Sequence, residues 1–257
     1  PLMVYLAAGI SGLTAIVGTF FIKDYLDLSA AFLAGLAFWA GIPWTLKMPL
    51  GHLVDLIWRQ KAILVYIGAG LIALSMGIMY GIIAHTEAMG EFIKVETWFV
   101  IATLLAPTGY VVQDVVADAM TVEAVPTIDE KGNPYPNSEI KMMHTTMQTF
   151  GRVAIISGLI TVSLLNINMF KGIESMSEDM KVAIYADIYL MALIIPIISI
   201  VGVVLAAYLL KRRARKLHRQ GHDNESIDKI LFAPAGETKP NWWILGGSIV
   251  FAAFTLI

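Results

Sequence analysis

The sequence has no cysteine among its 257 residues, so it holds no disulfide framework, no thiolate metal site and no cysteine nucleophile. Charge is also scarce, at 15% Asp, Glu, Lys and Arg, where an ordinary soluble domain carries about 25%. Neither sign dominates: 18 basic against 20 acidic side chains leave a formal charge of -2. That balance excludes the basic excess a nucleic-acid partner requires. His52, His85, His144, His218 and His222 are scattered and read as surface or interfacial. There is no HExxH on any expected helix and no GxSxG elbow, so the residues point away from an enzyme. No cofactor motif is present, and no filter-like segment interrupts the apolar runs as a channel would require.

What the chain has in place of charge is apolar length: 57% of residues are hydrophobic and the mean hydropathy is +0.71. About 20 apolar residues cross a hydrocarbon layer of roughly 30 Å as a helix. Six such runs can be counted. They are Leu2 to Ile22, about Ser29 to Val54, Ala62 to Ala84, Trp98 to about Glu123, about Met142 to Phe170, and Ile188 to Leu210. A seventh opens at Trp242 and Trp243, an aromatic pair suited to a membrane interface. Leu2 to Ile22 has no basic segment before it and reads as a span, not as a signal peptide. The expected organisation is a six-helix bundle over 1–210, a cytoplasmic connector over 211–240 and the start of a seventh helix over 241–257. Pro1 in place of methionine and the apolar last run lead us to expect the N-terminal part of a longer protein.

Basic residues in short loops stay on the cytoplasmic side. Arg59, Lys61, Lys131, Lys141 and the run from Lys211 to Arg219 fall on one side; Lys23, Lys94, Lys171 and Lys181, mixed with acids, fall on the other. The N-terminus is therefore expected in the cytoplasm. Small residues within the spans, such as Gly77 and Gly81 at GxxxG spacing, suggest close helix packing. Pro43 and Pro49 interrupt the backbone ladder of the second span and allow it to bend.

An ionisable group at membrane depth costs a few kcal/mol and so marks a functional candidate that needs a partner. Lys47, Asp114, Asp118 and Arg152 are the four. At about 1.5 Å per residue, Lys47, Asp114 and Arg152 lie about 12 to 16 Å inward of the cytoplasmic helix ends, at one depth. Asp118 shares the face of Asp114 one turn away and, nearer the helix end, reads first as structural. Two readings stand side by side. In one, the layer binds an anionic solute through Arg152 or Lys47 while Asp114 or Asp118 exchanges a proton. In the other, it locks helices two, four and five together.

The loop after the second run, from Gly51 through Asp55 and Trp58 to Arg59 and Lys61, resembles the loop signature of the major facilitator superfamily. Leu56 and Trp58 stand where that signature usually has a basic residue and a glycine. The resemblance implies that Gly51, Asp55, Arg59 and Lys61 form a gating loop between two halves. Three stretches together resemble the folate-biopterin transporter family of that superfamily: Phe20 to Asp24 with Leu28 and Ser29, Pro43 to Lys47 with Gly51 and Asp55, and Asp114 to Ala119 with Val122 and Glu123. The pattern Gln113-Asp114 with Asp118-Ala119 is also similar to muropeptide permeases and acetyl-CoA transporters. The resemblance implies an all-α membrane protein, the first bundle of a monomeric secondary transporter of about twelve helices. Its partners would be a small organic solute such as a folate or pterin, protons as coupling ion, and the lipid of a bacterial inner membrane. The rival within the superfamily is a membrane assembly factor that keeps the fold without transport.

Overall fold

The computed structural model describes residues 1–21, 26, 28–129, 133–232 and 239–255, with backbone alone at 19, 20, 59 and 232. Expectations placed on Ile22, Lys23, Asp24 and Lys131, and on the side chains of Phe20 and Arg59, lie outside the described residues. The described chain is α-helical without strands. In order, the helices are α1 (Leu2–Ile10), α2 (Ala15–Phe21), α3 (Ala30–Thr45), α4 (Lys47–Leu56), α5 (Ala62–Ala84) and α6 (Thr86–Phe92). Then come α7 (Val95–Glu123), α8 (Asn137–Met169), α9 (Glu178–Ala192), α10 (Ile194–Arg219), α11 (Asn224–Phe232) and α12 (Trp242–Phe254).

Among the described residues five stretches are long and apolar enough to cross a membrane: Ala30–Leu56, Ala62–Ala84, Val95–Glu123, Asn137–Ser175 and Glu178–Arg219. Leu2–Gly18 and Trp242–Phe254 are shorter apolar stretches. The protein is therefore an all-α membrane protein. The first expected span is less regular than its composition suggests, because a 3₁₀ turn at Ser11–Thr14 separates α1 from α2. There the Ser11 hydroxyl donates to the Ala8 carbonyl at 2.7 Å, a local bond that competes with the helical ladder.

Two other spans are broken by proline. A proline clashes with the carbonyl four residues earlier and lacks an N–H, which is harmless only in the first turn of a helix. Pro49 lies four residues after Thr45, where α3 ends; Pro196 lies four after Ala192, where α9 ends. In both cases the proline then occupies the third position of the next helix. Pro43, by contrast, is carried inside α3.

Between apolar helices in lipid there is little hydrophobic drive, so association rests on close packing and a few hydrogen bonds. Two glycine seams supply the packing. A Cβ at Gly109 of α7 would lie 2.6 Å from the Gly68 carbonyl oxygen of α5, and one at Gly158 of α8 would lie 2.7 Å from the Gly9 Cα of α1. Hydrogen bonds flank the first seam. The Ser75 hydroxyl donates to the Ala102 carbonyl at 2.7 Å, and the Gln113 amide donates to the Val65 carbonyl at 3.2 Å while accepting from Ser199 of α10 at 2.9 Å. Gly77 and Gly81 prove to be the wrong pair: a Cβ at Gly77 meets nothing within 4 Å, and at Gly81 its nearest neighbours are atoms of the flexible Met89 side chain. The spacing identified a small-residue stripe but could not say which helix faces it.

Gly109→Ala and Gly158→Ala are expected to destabilise the protein by about 1–3 kcal/mol each, since the obstacle is backbone. Gly77→Ala should be neutral or slightly stabilising. Thermal unfolding in detergent, followed by circular dichroism, compares the three; equal melting temperatures would refute the seam assignment.

Candidate functional site

The break at Leu46 (φ -82, ψ 0) restarts the helix with Lys47 as its first residue and turns that side chain toward α7. There its ammonium meets Asp114 Oδ2 at 2.5 Å and Asp118 Oδ2 at 2.9 Å. The two carboxylates stand on one face of α7 four residues apart, so a single cation reaches both. Asp118 is held a second time: the Tyr5 hydroxyl of α1 donates to its Oδ1 at 2.7 Å. Tyr5 also lies 3.3 Å from the Thr121 hydroxyl. Helices α1, α4 and α7 thus meet in one polar cluster holding two carboxylates for one ammonium.

The cluster is open, not sealed. Side-chain exposure is 43% for Lys47, 22% for Asp114 and 49% for Asp118. Asp118 stands in the wall between two cavities. One, of about 400 Å³, is lined by Lys47, Gly51, His52 and Asp55 as well as Asp118. The other, of about 440 Å³, is lined by Tyr5, Asp118, Thr121, His144, Gln148 and Arg152. Three of the four expected layer residues therefore converge in direct contact. Arg152 does not join the ion pairs; it is exposed on α8 and shares a cavity with Asp118. Among the described residues no group of three His, Asp or Glu is arranged to hold a metal.

The loop residues divide. Gly51 and Asp55 line the first cavity. Lys61 instead turns into the bundle, where it pairs with Glu123 at the end of α7 at 2.5 Å and lies 3.3 Å above the Trp58 ring. This pair is closed, with 9% and 16% of the two side chains exposed. Burial holds the Lys61 ammonium below its ordinary value, with Glu123 opposing the shift. The unfolded chain thus binds this proton more tightly, so burying the group subtracts stability at neutral pH. That penalty fades as pH rises from the lowered value toward the ordinary lysine range.

Tyr5, Glu123, His144 and Gln148 were not singled out as site residues from the sequence. Tyr5 and Glu123 each carried a usable signal, as polar groups at the ends of apolar runs facing an unpaired opposite group. His52 needs correcting: expected at a surface or interface, it is buried at 6% exposure, and its Nε2 accepts the Asn241 N–H at 2.8 Å. It ties α4 to the start of α12, which lies against α3 and α4. With this geometry in hand, no family model matches the chain, and no curated protein or solved structure shows significant similarity to it.

Removing one member of a buried ion pair strands the other charge, whereas replacing both by apolar groups is often harmless. Lys61→Met alone should cost about 3 kcal/mol, and Lys61→Met combined with Glu123→Met should recover most of it. A double-mutant cycle on chemical unfolding in detergent measures this. Additive losses would show that the two residues are not coupled.

Proposed function

We propose that the chain is the N-terminal six-helix bundle of a secondary active transporter of the major facilitator type, moving a folate- or pterin-like or other small organic anion by alternating access. The observation that carries this reading is the Lys47–Asp114–Asp118 cluster, unbalanced in charge, set at a helix break and facing two cavities. A purely structural network gains from being closed and neutral, as Lys61 and Glu123 are. Here one carboxylate is in excess, and the group left to compensate it is Arg152 across the second cavity. In this scheme Arg152 attracts the anionic solute, since a guanidinium fork fits a carboxylate. Lys47 is already engaged by two aspartates and orders them. Asp114 or Asp118 takes the proton that couples transport.

The distribution of Lys and Arg supports a cytoplasmic N-terminus, and the resemblance of Gly51 to Lys61 to a gating loop supports placement in a bacterial inner membrane with this loop inside. The loop would gate through Asp55, which faces the cavity. Lys61 would anchor it to the bundle.

Proteoliposomes carrying the full-length protein, with both halves of the proposed transporter, should accumulate labelled folate or pterin under an inward proton gradient. Arg152→Ala and Asp114→Asn should each reduce initial uptake by about tenfold to a hundredfold, the value of one charge-assisted hydrogen bond. A gradient requirement that disappears in Asp114→Asn assigns that residue as the coupling group. Muropeptide uptake in place of folate uptake would reassign the cargo. No uptake of any of these anions, or uptake indifferent to both substitutions, would sink the transport reading.

A further inference from the structure

The span that ends in α10 does not stop at the end of its apolar run: α10 continues as one helix through Leu210 to Arg219. Along its outer face, Ile194, Ile197, Val201, Val204 and Tyr208 are all exposed, the stripe that lipid tails would cover. At about 100° per residue, the same stripe is continued by Arg212, Arg215 and Arg219. The opposite face runs through buried Ser199 and Val203 to Ala214 and Leu217. Leu217 is 1% exposed and packs with Ile227, Ile230 and Leu231 of α11. The α11 helix therefore fixes the rotation of the α10 end, so that its arginines stand directly below the lipid-facing stripe.

With Leu209 and Lys216, Arg212, Arg213, Arg215 and Arg219 line a groove of about 700 Å³. All four arginines are exposed, and none of them has an acidic partner among the described residues. Four like charges on two turns of helix repel one another, and an anion seated among them relieves that cost. We propose that this groove binds the headgroup of an acidic phospholipid, its phosphate held by the guanidinium groups and the start of its acyl chains lying along Leu209 and Tyr208. Guanidinium forks match phosphate oxygens two at a time. The continuity of the apolar stripe with the cationic one selects a lipid over a soluble phosphate, because a ligand with a tail satisfies both. This inference rests on the membrane location alone and stands apart from the transport reading.

The test uses the whole chain, purified in detergent with an equimolar mixture of phosphatidylglycerol and phosphatidylcholine, with bound lipid counted by native mass spectrometry. The protein should retain phosphatidylglycerol selectively. At about fivefold per cation, the triple variant R212Q/R215Q/R219Q should lose that preference by on the order of a hundredfold. R212K/R215K/R219K, which keeps the charges, should still prefer phosphatidylglycerol. Circular dichroism checks that the glutamine variant is folded; if it is not, R215Q and R219Q singly should each lose about fivefold. Equal retention of both lipids by the unaltered protein would overturn the proposal, as would a preference untouched by the glutamine variants. Displacement of the lipid by inorganic phosphate would do the same, since it would mark a site for a soluble anion.

Discussion

An ammonium set within an apolar span must find anions, and it must find them on a neighbouring helix. Lys47 meets that requirement because Pro49 forbids a continuous helix at Thr45. The chain restarts one residue later, and the first side chain of the new segment points at α7. Everything polar at this level follows from that restart. Asp114 and Asp118 can share one cation because they stand four residues apart on one face of α7. Tyr5 reaches Asp118 only because α1 lies against both α7 and α8.

The placement of α7 has its own cause. Along α5 the two backbones approach until Gly68 and Gly109 touch, and hydrogen bonds from Ser75 and Gln113 fix the register on either side of that contact. Ser199 extends the same fixation to α10. One side of α7 is thereby a rigid seam, while Asp118 on another side looks onto two cavities. A site built on a helix whose back is locked holds its carboxylates in place without help from loops.

Much of this was legible in advance. Run lengths alone locate the long spans, since the bilayer fixes how many apolar residues are needed. Equal depth put Lys47 and Asp114 in one layer, because depth along a helix is linear in residue number, and Asp118 followed only from sharing the face of Asp114 one turn away. Rotation is what the sequence hides. Helical periodicity says which residues share a face but not which neighbour that face meets, so Gly77 and Gly81 looked like a packing seam while Gly68 and Gly109 form one. For the same reason Arg152 was expected within the layer but stands across a cavity from it. His52 illustrates a different blind spot. A histidine near a helix end reads as interfacial unless one knows that a distant segment, here the backbone of Asn241, arrives to cover it.

The two lysines that bracket the loop show how one residue type comes to play opposite parts. Lys61 has a single carboxylate and an aromatic face, and nearly all of its surface is covered, so losing Glu123 alone would strand a buried charge. Lys47 has two carboxylates, and more than a third of its side chain is open. If both aspartates are ionised, the cluster carries an excess negative charge next to a cavity, which is expensive unless a proton or a cation approaches. The difference between the two lysines reduces to one extra carboxylate and an open wall.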